Sequence, residues 1–306
     1  ANPVVLDPIK FPEPTLSMAI EPKSKGDEDK LSGAMQKLIE EDPTITITKN
    51  TETRQTLVKS MGDTHMDILI EKLSRKFGVD VVTREMRIPY RETIRATVEV
   101  EGKHKKQSGG HGQYGHVWIK FEPSEEGNFE FAENVFGGAV PRNFFPAVEK
   151  GLIEALDEGV LAGYPVTNIK ATLYDGSYHS VDSSEMAFKM AARIAFKKGM
   201  ETAKPVLLEP IVDVEIEVPD TYMGDIIGDL NSKRGRVLGM EPSGKKQLIK
   251  AQVPQAEMAR YTIDLKSMTQ GRGKFKMEFS HYEEVPNQFA DKIIEKAKQD
   301  KEETKA

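Results

Sequence analysis

Two segments of this chain concentrate the residue types that could do chemistry. The first reads Lys103-His-Lys-Lys-Gln-Ser-Gly-Gly-His-Gly-Gln-Tyr-Gly-His116. Glycines lack the Cβ that would keep an anion away from backbone N–H groups, and the lysines add charge, so the composition is that of a phosphate gripper. It is no Walker loop, because no Gly-Lys-Ser/Thr follows four residues after a Gly. A plain hairpin loop is the competing reading. The second segment, Asp175-Gly-Ser-Tyr-His-Ser-Val-Asp-Ser-Ser-Glu185, places Tyr178 and His179 just ahead of a helix start, where both can stack on or hydrogen-bond to bases. For His179 the bland alternative is a helix-capping loop. Ser184, His179 and Asp182 have the residue types of a hydrolase triad. Three residues so close in sequence do not easily form that relay, however, and no nucleophile-elbow pattern is present. His104, His111 and His116 match no His-x-x-x-His helix and bring no carboxylate with them, so no metal is expected.

Any attraction to nucleic acid would have to be local. The 43 Lys and Arg stand against 49 Asp and Glu, a net charge of −6, so the bulk field does not draw in a polyanion. Candidate patches are Lys103, Lys105 and Lys106 with His104, then Lys233, Arg234 and Arg236, then Lys245, Lys246 and Lys250. Each is also what a solvated face looks like. Apolar residues at 38% and charged residues at 30% describe a globular chain, and no apolar run nears the ~20 residues of a membrane span. No membrane role is expected. Cysteine is absent, which excludes disulfides and thiolate metal sites and makes a reducing cytoplasm the expected compartment. The chain starts at Ala1 and runs through Pro3, Pro8, Pro12 and Pro14, which reads as the continuation of something longer. Its 306 residues fit two or three domains, and three are expected.

The elements that must position these segments follow from periodicity. Leu16, Met18 and Ile20 alternate as a strand, and Leu31, Ala34, Met35, Leu38 and Ile39 form a helical stripe starting near Asp27. Ile45 and Ile47, then Thr56 to Lys59, give two more strands. Met66, Leu69, Ile70, Leu73 and Phe77 form a second helical stripe ending at Gly78, and Val79 to Thr83 closes a βαββαβ unit. The same order returns with Val212, Val214, Ile216 and Val218, a helix with Ile226, Ile227 and Leu230, strands at Arg236 to Met240 and Gln247 to Val253, a helix through Met258, Ala259 and Leu265, and a strand with Phe275, Met277 and Phe279. Between the two units, Ile94, Ala96, Val98 and Val100 predict one long strand and Val117, Ile119 and Phe121 another. Gln107 to Gly115 would join them as a large flexible tip. A helix is predicted from about Pro141 to Leu161, then a strand through Ile169, Ala171 and Leu173, then a loop from Asp175 to Asp182. Asp182 and Glu185 have capping-box spacing before the next helix. Pro286, with Phe289, Ile293 and Ile294 on one stripe, predicts a terminal helix.

Several of these segments resemble one family in its own order. Gln107-Ser-Gly-Gly-His-Gly-Gln-Tyr-Gly-His-Val117 is similar to the first tip loop of domain IV of elongation factor G, and Ser177-Tyr-His-Ser-Val-Asp-Ser-Ser-Glu-Met-Ala-Phe188 to its second tip loop and following helix. Tyr90-Arg-Glu-Thr-Ile94 resembles the family's lead-in to domain IV, Ala203-Lys-Pro-Val-Leu-Leu-Glu-Pro210 its lead-in to domain V, and Gly224-Asp-Ile-Ile-Gly-Asp-Leu-Asn-Ser-Lys-Arg-Gly235 the first helix of domain V. The similarity runs from about Phe11 to Val285. It departs at Asp63 and Thr64, where Gly62-Asp-Thr-His-Met-Asp67 stands for the usual Gly-Glu-Leu-His-Leu-Glu. His111 replaces a usual Arg and Ser180 a common Asp, which points to a divergent paralogue.

The resemblance implies an α+β chain with two ferredoxin-like βαββαβ domains flanking a ribosomal-S5-domain-2-like βαβ domain with a left-handed crossover. The expected boundaries are 1–88 for a domain III-like part, 89–205 for a domain IV-like part with tip loops at 103–116 and 175–182, and 206–285 for a domain V-like part. A helix over 286–306 is expected to pack on the domain IV-like part. The resemblance further implies a ribosome-binding part of a translocation GTPase, its tip entering the decoding site. His179, Ser177, Tyr178, Gln107, Ser108, Gly109, Gly110, His111 and Gly112 would contact RNA, with Lys105, Lys106, Lys233 and Arg234 as secondary contacts. No catalytic, cofactor or metal residue is expected in this stretch, GTP and Mg²⁺ belonging to a domain outside it. The expected partners are the ribosome, through rRNA and ribosomal proteins, together with tRNA and mRNA, and a monomer is expected. A ribosome-recycling or ribosome-protection paralogue and a stand-alone hydrolase are the alternatives.

Overall fold

The structure is a computed structural model and describes residues 9, 11–12, 14–108, 111–125 and 127–305. Its first domain runs β1 (Leu16–Pro22), α1 (Glu28–Glu41), β2 (Thr46–Asn50), β3 (Gln55–Ser60), α2 (Asp63–Phe77) and β4 (Val81–Arg84). The strands lie in the order β2-β3-β1-β4, each antiparallel to its neighbour. Leu31, Ala34, Met35 and Leu38 of α1 and Met66, Leu69 and Leu73 of α2 are buried, since residues three and four apart share a helix face. Ile39, expected on the same stripe, is exposed. Gly78 ends α2 in the left-handed region at φ +64°, the conformation glycine adopts without a Cβ penalty.

The middle domain contains β5 (Arg91–Ile94), β6 (Val98–Ser108), β7 (His111–Pro123), β8 (Phe129–Glu133), α3 (Phe145–Leu156), β9 (Ile169–Ser177) and α4 (Glu185–Thr202). Its sheet has the order β6-β7-β9-β8, with β8 parallel to β9. Helices α3 and α4 bury Val148, Leu152, Phe188, Ala191, Ala192, Ala195 and Phe196 with Val117, Ile119, Phe121, Ile169, Ala171 and Leu173 of the sheet. Four expectations are corrected here. The single strand over Ile94 to Val100 is two strands, because β5 leaves to pair with a later strand and the Arg95 and Ala96 N–H groups bond to Ala203 O; alternation records burial, not the identity of the partner. The helix from Pro141 ends at Leu156, and β8 is an additional strand. The large flexible tip is a ladder that continues to Ser108↔His111, so only residues 109 and 110 connect the strands, and these lie outside the described residues. Finally, the helix cap is Ser184, whose hydroxyl accepts from Ala187 N–H, and not Asp182.

The last domain comprises β10 (Pro205–Pro219), α5 (Met223–Ser232), β11 (Arg236–Ser243), β12 (Lys246–Pro254), α6 (Tyr261–Thr269) and β13 (Lys274–Glu284), followed by α7 (Asn287–Lys305). The order β11-β12-β10-β13 repeats that of the first domain. Residues 205–208 of β10 pair with β5, and residues 211–219 with β12. The chain thus divides into two compact units, one of residues up to 89 with 210–281, the other of 90–209 with 282–306. The fold is α+β, with two ferredoxin-like βαββαβ modules and a βαβ-containing middle domain.

Candidate nucleic-acid interface

One end of the middle sheet brings both chemistry-bearing segments together. The β7–β9 pairing sets His116 opposite Ser177, and a short bridge joins Tyr114 to Ser183. Tyr114 N–H donates to Asp182 O at 2.8 Å, and the Ser183 hydroxyl donates to Tyr114 O at 2.9 Å. Gly112 N–H donates to Asp182 Oδ1 at 3.2 Å. Ser177 Oγ lies 2.7 Å from both the Tyr114 hydroxyl and His116 Nδ1, and His116 Nε2 is 3.0 Å from Glu101 Oε1. The hairpin end and the β9–α4 loop are therefore one hydrogen-bonded body.

Asp182 and Ser183 act as the clamp, and residue type alone gave no sign of it because their partners lie about seventy positions away. Two of the glycines serve this packing. A Cβ on Gly112 would sit 2.6 Å from Asp182 Cγ, and one on Gly115 would sit 2.3 Å from Ala187 O in α4. The Gly112 N–H is thus engaged by a carboxylate of the chain itself.

Tyr178 and His179 project from this body, both more than half exposed. His179 Nδ1 faces the Asp182 N–H at 3.2 Å and the Val181 N–H at 3.4 Å, and also Asp182 Oδ2 at 3.3 Å. When Nδ1 accepts from the backbone, Nε2 carries the ring hydrogen and is the donor presented by the loop. Among the described residues no serine hydroxyl meets the His179 ring: Ser183 bonds to Tyr114 O and to the His179 N–H, and Ser184 caps α4. The hydrolase relay is therefore not assembled. His104 pairs with Gln113 at 2.9 Å, so His104 and His116 face separate partners. Lys105, Lys106 and Gln107 are exposed on β6. The Ser108 and His111 backbones pair with each other, while Gly109 and Gly110 lie outside the described residues. Behind the tip, burial and the Glu99 carboxylate push the Tyr174 phenol up, beside the Trp118 ring at 6.5 Å.

Three family models match in sequence order: elongation factor G domain III over residues 11–85, domain IV over 86–204, and the elongation factor G C-terminus over 206–293. The chain belongs to the elongation factor G family. A crystal structure of a protein from Thermus thermophilus is similar to it at 43% identity and a TM-score of 0.85, covering 95% of this chain and 44% of that one. This chain thus spans less than half the length of that protein. In elongation factor G terms, the clamped tip belongs to domain IV. The cations expected as secondary contacts in the C-terminal domain sit differently. Lys233 bonds to Asp229 at 3.1 Å and Asp264 at 3.0 Å; partial burial works against its charge, but the two carboxylates raise the ammonium above its ordinary value. Arg234 bonds to Glu257 at 3.0 Å. Lys246 and Lys250 are paired with Glu217 and Glu241. No helix among the described residues is long and apolar enough to cross a membrane.

Proposed function

We propose that this chain is the ribosome-contacting part of a translocation factor, and that its domain IV tip enters the decoding site of the small subunit behind the moving peptidyl-tRNA. His179, Tyr178, Ser177 and the Gln107 to Gly112 segment then face tRNA and mRNA, and Lys105 and Lys106 face RNA phosphates along the hairpin. The C-terminal domain meets large-subunit RNA near the GTPase-activating centre, through Lys233 and Arg234 just past the C-terminal end of α5, and domain III relays the nucleotide state. GTP and Mg²⁺ bind a domain outside this chain, and the whole acts as a monomer in the cytoplasm. The tip's part is steric and hydrogen-bonding, not catalytic. The observation that carries this reading is the clamp of Gly112, Tyr114 and Ser177 to Asp182, Ser183 and His116. A wedge that blocks backward movement needs a stiff body beneath a small polar point.

The test is His179→Ala in this chain joined to the GTP-binding part of an elongation factor G. Losing one tip contact of about 1 to 3 kcal/mol in the translocation transition state slows mRNA movement about 5-fold to 150-fold. Ribosome-stimulated phosphate release stays near wild type. Rapid kinetics that show both rates falling together, or neither, would remove His179 from the tip-contact role. Slower subunit splitting with unchanged mRNA movement would instead identify a recycling factor.

A further inference from the structure

Glu101, His116, Ser177 and Tyr114 form a chain of polar contacts that ends beside the tip. Helix α4 lies against Gly102 and Gly115 on one face of the middle sheet, and alternation along β7 turns His116 to the other. His116 Nε2 is closed to solvent, and the Glu101 carboxylate lies 3.0 Å from it, as an ion-pair contact and not an aligned hydrogen bond. Across the ring, Nδ1 is 2.7 Å from Ser177 Oγ, which is itself 2.7 Å from the Tyr114 hydroxyl. The neighbouring strands add Lys103, directly across from His116 on β6, and Asp175 of β9, which lies opposite Trp118. The loop above Tyr114 brings Asp182, bonded to its backbone, and His179, whose ring centroid is 6.4 Å from that of the phenol.

The hydrogens available decide how this chain is wired. A bare Nε2 lone pair beside a carboxylate is repelled, so Nε2 carries a hydrogen, and the neutral ring leaves Nδ1 as an acceptor. Ser177 then gives its hydrogen to Nδ1. Its contact with Tyr114 consequently uses the phenol's hydrogen, which points into the protein. Adding a proton to Nδ1 reverses both bonds: the imidazolium donates to Ser177, Ser177 donates to the Tyr114 oxygen, and the phenol hydrogen turns outward. Tyr114 is partly exposed. Protonation thus places a positive charge at His116 and an outward O–H donor at Tyr114, and an anionic oxygen is favoured by both changes.

We infer that Tyr114 is a further RNA contact of the tip, donating to a backbone phosphate oxygen, and that this contact takes up a proton at His116. The RNA occupant rests on the proposed ribosomal role, whereas the proton coupling rests on the hydrogen count. The experiment uses the whole 306-residue chain and a single-stranded RNA of about ten nucleotides, at about pH 8 and about pH 5.5, on either side of the range in which imidazoles titrate. NMR signals of the Tyr114 ring and the His116 imidazole localise the contact. Tyr114→Phe keeps the ring and removes the donor. It is expected to weaken binding about 5-fold at the lower pH, where the wild-type phenol donates outward, and less than about 2-fold at the higher, where it does not. Other histidines strengthen binding to both proteins alike at the lower pH, so the ratio between them isolates Tyr114. In the wild-type chain the pH midpoint of the His116 signals is expected to move up when RNA is bound. A midpoint that stays in place, or a Tyr114→Phe loss that is equal at the two pH values or absent at both, overturns the coupling. Tyr114 and His116 signals that do not respond to RNA overturn the contact itself. An equal response to inorganic phosphate at the same concentration of phosphate groups overturns the RNA assignment. The ribosomal reading fails separately, through His179→Ala and mRNA movement, which changes neither Tyr114 nor His116.

Discussion

Gly115 has α4 so close above it that an added Cβ would lie 2.3 Å from Ala187 O. Backbone cannot yield as the end of a flexible side chain does, so Gly115→Ala must displace α4 or bend β7. The expected cost is about 1 to 3 kcal/mol, read as a lower urea midpoint with unchanged slope. An unchanged midpoint would mean that the helix contact is loose. Asp182→Ala tests the clamp more selectively. It removes the carboxylate that receives Gly112 N–H while leaving the Tyr114 N–H to Asp182 O bond in place. About 1 kcal/mol of stability is lost, and amide exchange accelerates at Gly112 and in residues 178–182 with little change at Val117. Uniform acceleration across β7 would show a general loss of stability, not a released tip. The sequence pointed to these two segments by residue type. It assigned the glycines to an anion, whereas Gly112 and Gly115 admit a neighbouring side chain and a helix backbone, a purpose visible only once chain segments about seventy residues apart meet.

Elements here are held by a few polar anchors that periodicity does not register. Glu92 on β5 is 1% exposed, and its carboxylate accepts N–H groups of Leu161, Ala162, Gly163 and Tyr164 at 2.8 to 3.1 Å. The helix expected to run to Leu161 gives way at Leu156 to a connector wound around this one side chain. Glu92→Gln puts an NH₂ group among N–H donors, and should cost about 2 to 4 kcal/mol; a denaturation midpoint within error of wild type would show the anchor to be dispensable. In domain III, Asp42 closes α1. The Thr44 hydroxyl at 2.5 Å holds the Asp42 carboxyl below its usual range, assisted by the Thr44 N–H and His65 and opposed by burial. A depressed folded-state value stabilises above the unfolded pKa of roughly 4 and loses that contribution as pH falls through the folded value. Acidification from about pH 5 to about pH 2.5 should therefore destabilise wild type more steeply than Asp42→Asn, and parallel slopes would exclude Asp42 as a contributor. Both βαββαβ modules were legible because half-buried strands and one-sided helices repeat their apolar residues at fixed periods. The β5/β6 break, β8 and the ladder through Lys103 to Ser108 were not. Which strand a segment joins depends on backbone pairing, and backbone hydrogen bonds are indifferent to polar side chains.

At the scale of the molecule, the two units are interleaved in sequence: the chain leaves the second at about residue 209 and returns to it at 282. The returning piece ends in α7, whose Phe289, Ala290, Ile293, Ile294 and Ala297 pack with Ala162, Leu207 and Val285. Val285 N–H donates to Leu207 O at 2.9 Å, and Glu284 pairs with Arg95. Segments far apart in the chain thus close one core, so the helix that a proline and a three-residue stripe announced also covers part of that core. Removing residues 287–306 exposes Leu207, Val285 and Ala162 and discards the partners on α7. At about 1.5 to 3 kcal/mol for each large apolar side chain fully buried, and less for those half-buried, the second unit should lose on the order of 3 to 5 kcal/mol. Trp118, the single tryptophan, lies on β7 of that unit, so its fluorescence reports the second unit alone, whereas far-ultraviolet dichroism reports both. In the shortened chain the fluorescence transition should move to lower urea while part of the dichroism signal melts where it did before. If the fluorescence midpoint does not move, α7 contributes nothing to that core. If both signals shift together by the same amount, the two units unfold as one cooperative body, and the division drawn from their internal contacts has no thermodynamic counterpart.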